Sequence, residues 1–156
     1  MNQGMEDLLQ EDFKAIPTRR SLMPVWVRIF ISIIALEGLL GGLGLVAGLL
    51  LEEADWKAFT LAAVLFVYGI SATAMITERK WAIYACFGIT ILVLAVLIIA
   101  EGGWIYNDLV YPNSLHILHH IILLALIFLH LAFAFKLGGI MKEWKCAVSG
   151  TKLFYE

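Results

Sequence analysis

Four long apolar stretches dominate this chain, at residues 25–51, 58–77, 81–100 and 115–140, and charged residues cluster between them. A helix rises ~1.5 Å per residue, so each stretch is long enough to cross a hydrocarbon core of ~30 Å. The pattern predicts an all-α fold: an integral membrane bundle of four transmembrane helices. It divides the chain into a leading segment, 1–24, a transmembrane domain, 25–141, and a tail, 142–156.

Ahead of the first stretch, Met5, Leu8, Leu9, Phe13 and Ile16 fall on one stripe, opposite Glu6, Asp7, Glu11, Asp12 and Lys14. This predicts a short amphipathic helix that Pro17 stops. Anionic lipid repels carboxylates, so the acidic face suits docking on a protein. Ser21 and Pro24 are placed to start the first span. The first apolar run exceeds a signal-peptide core and is expected to stay as an anchor. Residues 101–114, with Gly102, Gly103, Trp104, Tyr106, Tyr111 and Pro112, read as a long connection folded back onto the membrane face. Ser114 would cap the last span. Trp56, Trp81 and Trp144 stand near predicted boundaries and read as aromatic-belt residues.

Charge orients the bundle. Of eleven Lys and Arg residues, Lys14, Arg19, Arg20, Arg28, Arg79, Lys80, Lys136, Lys142, Lys145 and Lys152 fall on one side. Lys57 alone is left for the other, beside Glu52, Glu53, Asp55, Glu101 and Asp108. The positive-inside rule then puts both termini in the cytoplasm, N-in and C-in, as in a bacterial inner membrane. At 62% hydrophobic and 15% charged residues, the chain has no room for a separate soluble domain. It has no polybasic block, which argues against nucleic acid as a partner. Membrane lipids, other membrane subunits or a second copy are the partners expected. Cys86 within a span and Cys146 in the tail lie at different depths and suggest neither a disulfide nor a metal motif.

Inside the membrane, Glu37 needs an explanation. It lies twelve residues beyond Val25, about 18 Å along a helix, near mid-bilayer. A carboxylate there costs on the order of 3 kcal/mol, so it is expected to be protonated or paired. Gly41, Gly44 and Gly48 follow it on one helix face, and Gly69 and Thr73 give the second span a matching small-xxx-small surface. In lipid, close backbone approach at such residues takes over from the hydrophobic effect as the drive for helix packing.

All four histidines belong to the last span. At ~100° per residue, His116, His119, His120 and His130 occupy one arc of about 100°. A proton or cation route through His119 or His120, Glu37 and His130 is conceivable if the first and last helices touch. His116 and His120, one turn apart, form a divalent-metal site if Glu101 or Asp108 completes it. His116 and His130, fourteen apart, have a spacing that resembles the haem-bearing helices of b-type cytochromes, which implies haem b and matching histidines from a partner. No cofactor is the first expectation. No nucleophile–base pair, phosphate loop or carboxylate pair can be assembled, so the chain is not expected to be an enzyme. A central Glu on the first of four short helices is similar to the pattern of the small multidrug-resistance exporters. The acidic leader, the long third connection and the His-rich last helix depart from it, so the likeness concerns mechanism only. The first functional expectation is a non-enzymatic accessory or structural subunit of a membrane complex, assembling through the Gly-rich face. The alternative is a small proton-coupled transporter or channel using Glu37 and the histidine stripe.

Overall fold

The computed structural model describes residues 17–50, 56–110 and 117–148. The described residues form a one-turn helix, α1 (Arg19–Leu22), and four long helices: α2 (Val25–Leu50), α3 (Trp56–Ile76), α4 (Ala82–Val110) and α5 (Ile117–Cys146). All four long helices are apolar enough to cross a membrane, which makes this the architecture of an integral membrane protein. The amphipathic segment expected before Pro17 lies outside the described residues, as do the connections 51–55 and 111–116.

Local chemistry sets the helix starts. Thr18 caps α1, its hydroxyl accepting from the Ser21 N–H at 3.3 Å. Ser21 therefore belongs to this extra turn and does not cap the first span; the Pro24 carbonyl accepts the opening bond of α2 from Arg28 N–H at 3.2 Å. At the other end of the first hairpin, α3 stops in a Schellman turn: Glu78 N–H reaches Met75 O at 3.0 Å and Arg79 N–H reaches Ala74 O at 2.9 Å. Glu78 takes the left-handed position with φ 57°, a place usually held by Gly, at a cost of roughly 1–2 kcal/mol.

The structure holds that strained turn by its carbonyl. Arg19, almost wholly buried, donates from one terminal nitrogen to Glu78 O at 2.7 Å and from Nε to Trp144 O at 3.1 Å. Trp144 in turn donates its indole N–H to Arg79 O at 3.2 Å. Alongside, Thr18 and Val148 form an isolated parallel bridge, with Arg19 N–H to Val148 O at 3.0 Å and Val148 N–H to Pro17 O at 3.2 Å. The two ends of the described chain thus meet the α3–α4 turn at one end of the bundle, called here the tail end. Trp144 is no belt residue: it is fully buried, because its ring fills the space under the turn while its N–H satisfies a turn carbonyl.

α2 packs most closely on α3, and α4 on α5. The two hairpins share a core only in the tail-end half. It contains Val27, Phe30, Ile31 and Ile34 of α2, Tyr68, Ala72 and Met75 of α3, Ile83 and Cys86 of α4, and Phe133, Leu137 and Trp144 of α5. Beyond it, residues 36–50 bury only Gly38 and Gly41, residues 56–67 and 117–129 bury none, and residues 95–110 bury only Glu101. In that far half, burial occurs within a hairpin and not between hairpins.

Two helices outrun the expected spans. α4 continues ten residues past Ala100, so the expected loop from Glu101 is helical through Val110. Two adjacent glycines in a helix interior cost about 1 kcal/mol each relative to Ala. Contacts to α5 offset this: Glu101, Trp104 and Asp108, spaced i, i+3 and i+7, share one face and all meet α5. Gly102 and Gly103 point away from any neighbour. α5 likewise passes residue 140 to Cys146, because Ile140 and Trp144 still have the core to fill.

Candidate functional site

Gly38 and Gly69 bring α2 and α3 into backbone contact. A Cβ on Gly38 would overlap the Gly69 Cα and lie 2.9 Å from its nitrogen. Their neighbours Glu37 and Tyr68 therefore stand at one level of the α2–α3 pair. Glu37 is exposed. Seven residues from Phe30, about two turns, it continues the α2 face on which Phe30 packs edge-on against His130 (5.3 Å) and Phe133 (4.8 Å) of α5. The shared core of α2 ends at Ala35, so Glu37 opens onto the gap between the hairpins.

At the same level runs a short polar chain. Thr90 Oγ1 gives its one proton to Cys86 O at 2.6 Å, so at 2.9 Å it accepts from the Tyr68 hydroxyl. His130 donates from Nδ1 to Leu126 O at 2.9 Å, and its ring centroid is 6.4 Å from that of Tyr68. Each long helix thus contributes one polar side chain to this level: Glu37, Tyr68, Thr90 and His130.

A second cluster closes the far half of the α4–α5 hairpin. The His120 ring stands between two carboxylates of α4, with Nδ1 2.7 Å from Glu101 Oε1 and Nε2 2.9 Å from Asp108 Oδ2. Both ring nitrogens are thus engaged by carboxyl oxygens of α4. Its neighbour His119 packs on Trp104, ring centroids 4.3 Å apart. The remaining oxygens, Glu101 Oε2 and Asp108 Oδ1, and His119 Nε2 are buried without a hydrogen-bond partner among the described residues.

The candidate residues are therefore dispersed between two places. His119 and His120 belong to the α4–α5 clamp, whereas Glu37 and His130 belong to the mid-bundle layer, with Tyr68 beside the His130 ring. Of the metal set, His116 lies outside the described residues, and the other three are bonded to each other so that both His120 nitrogens are taken. Among the described residues, no group of three or more His, Cys, Asp or Glu is arranged to hold a metal ion. Of the haem pair, His116 again lies outside the described residues, and His130 is buried with Phe30 and Tyr68 beside its ring. Gly41 and Gly69 pack between α2 and α3 of the same chain, Gly44 is exposed with only an ordinary contact to Ala62, Gly48 is half-buried and Thr73 is exposed.

Sequence reasoning missed Tyr68, Thr90 and Arg19. Tyr68 and Thr90 are the hydrogen-bonding side chains nearest mid-span in the second and third stretches, a signal open to a search that includes uncharged groups. Arg19 carried no such signal, since beside Arg20 it looks like any charge flanking a span. No family model matches this chain, and neither a curated protein nor a solved structure matches it.

Proposed function

We propose that this chain is a non-enzymatic subunit of an inner-membrane complex, with both ends cytoplasmic, that receives a helix of another subunit or of a second copy on α2. One observation carries this reading: Glu37 stands exposed where the four-helix core stops, flanked by exposed Leu40 and Gly44. A carboxyl at that depth is costly in lipid, and a helix bringing a hydrogen-bond donor would relieve the cost. Gly44, seven residues along the same face, would let that helix approach closely. The orientation rests on the basic residues Arg19, Arg20, Arg28, Arg79, Lys80, Lys142 and Lys145 at the tail end, against Lys57 at the other.

The test is mild-detergent purification of the tagged full chain at native expression, followed by native mass. A stoichiometric partner or a discrete oligomer is expected. Glu37→Gln should preserve it, because the amide still hydrogen-bonds, and Gly44→Leu should dissociate it. A monomer that carries nothing with it would refute the reading.

A second reading, proton-coupled transport, draws on Glu37, Tyr68, Thr90 and His130 lying at one level, each from a different helix. It predicts the opposite for Glu37→Gln: proton-linked flux in liposomes is abolished while the assembly state is unchanged.

A further inference from the structure

On the lipid-facing side of the first hairpin, away from Glu37, α2 and α3 enclose an open groove of about 460 Å³. Its floor is backbone, because Gly38 and Gly69 present no side chains there. Phe66 closes one end, Thr73 and Thr77 line the edge, and Arg79 and Trp81 stand at the tail end. From Phe66 to Thr77 the groove follows eleven residues of helix, roughly 16 Å at 1.5 Å per residue. That is close to the ~15 Å depth of one leaflet of a ~30 Å hydrocarbon core.

The occupant can be chosen on size and charge. A helix is ~10–12 Å across, so a 16 Å length of one fills on the order of 1,000 Å³, far more than this groove takes in. A single acyl chain is slim enough. At the tail end, the Arg79 side chain makes no hydrogen bond or ion pair with any described residue, and Lys80 adjoins it. Glu78, next to it in sequence, is buried. Guanidinium binds phosphate oxygens through paired N–H groups, and the half-exposed Trp81 indole suits headgroup depth.

We propose that this groove is a binding site for an anionic phospholipid, with one acyl chain along the Gly38–Gly69 floor and its phosphate on Arg79. The proposal is independent of the assembly reading, because Glu37 does not line the groove. Anionic lipid is also the kind enriched on the side to which the basic residues assign this end.

The test is native mass spectrometry of the full-length protein released from nanodiscs containing phosphatidylglycerol or phosphatidylcholine with identical acyl chains. Wild type should retain phosphatidylglycerol roughly tenfold better, the scale of one charge-assisted contact. Arg79→Gln should reduce it to the phosphatidylcholine level. Thr73→Trp, which fills the groove from an exposed position, should lower retention of both lipids. Arg20→Gln, exposed at the same end but outside the groove, should change neither. Gel filtration and helicity identify any variant that fails to fold. Equal retention of both lipids by wild type, or equal losses in Arg79→Gln and Arg20→Gln, would overturn the proposal, the latter by revealing diffuse charge attraction. Displacement of the lipid by inorganic phosphate alone would also overturn it, as would crosslinking of a second protein helix at Thr73 in the lipid-replete sample.

Discussion

Replacing Gly38 with Ala should damage this fold more than any other single-methyl addition at a described glycine except its mirror, Gly69→Ala. The new Cβ would overlap the Gly69 Cα, approach its nitrogen to 2.9 Å and lie 3.2 Å from Leu65 O. All three are backbone atoms that cannot rotate away. Carbon contacts are comfortable at ~3.5–4.0 Å, so α2 and α3 must part locally by about 1 Å. A gap of that size forfeits roughly a quarter to a half of the dispersion energy of each contact it opens, and the expected loss is about 1–3 kcal/mol. Gly44→Ala supplies the control, since its Cβ would meet Ala62 at an ordinary 3.4 Å, and Gly88→Ala meets nothing within 4 Å. Both should be neutral or slightly stabilising through helix propensity. The assay is steric-trap or mixed-micelle unfolding of all four variants. The double variant Gly38→Ala/Gly69→Ala should cost less than the sum of the singles, because either one already separates the helices. If Gly38→Ala unfolds like Gly88→Ala, the backbone contact is not what holds α2 to α3, and Glu37 and Tyr68 need not share a level.

Two further outcomes follow from the polar contacts. Arg19→Gln should destabilise the protein by about 2–3 kcal/mol in the same unfolding assay, because it strips charge-assisted donors from two buried carbonyls, and Arg20→Gln should be close to neutral; equal effects would mean Arg19 acts only as a surface charge. His120→Ala should speed amide hydrogen exchange across residues 101–110 and leave residues 82–94 unchanged, since the clamp is the main buried contact of the far end of α4; unchanged exchange at 101–110 would show that the helix stands without it.

Helix number and approximate extent were legible because lipid as solvent leaves a strong signal: a spanning helix must be apolar for about 20 residues whatever its neighbours do. The ends of α4 and α5 were not legible for the complementary reason. Once a helix leaves the hydrocarbon, its continuation depends on what its partner offers. Gly102 and Gly103 look like a break until His120 and His119 are known to face Glu101, Asp108 and Trp104. Glycine periodicity signalled close packing without naming the partner, and Gly38 rather than Gly41 makes the closest approach. Glu37 stood out as a charge in a span. Its exposure did not, because that depends on where the shared core stops, a property of how two hairpins lean together.

The pairing of Pro17 and Arg19 with Val148 also dictates an order of events. Each helical hairpin can enter the membrane as soon as it is made, since its contacts are local in sequence. The buried Arg19 guanidinium can reach Glu78 O once the α3–α4 turn is made, but its Nε must wait for an acceptor until Trp144 has left the ribosome, and the bridge at Thr18 waits for residue 148. Tail-end closure is therefore a step that follows insertion, joining segments some 125 residues apart. A chain cut before Trp144 would still carry four apolar helices, yet it would lack the clasp that ties α1 and the α3–α4 turn to the end of α5. Such a product should reach the membrane and then be removed from it by quality control.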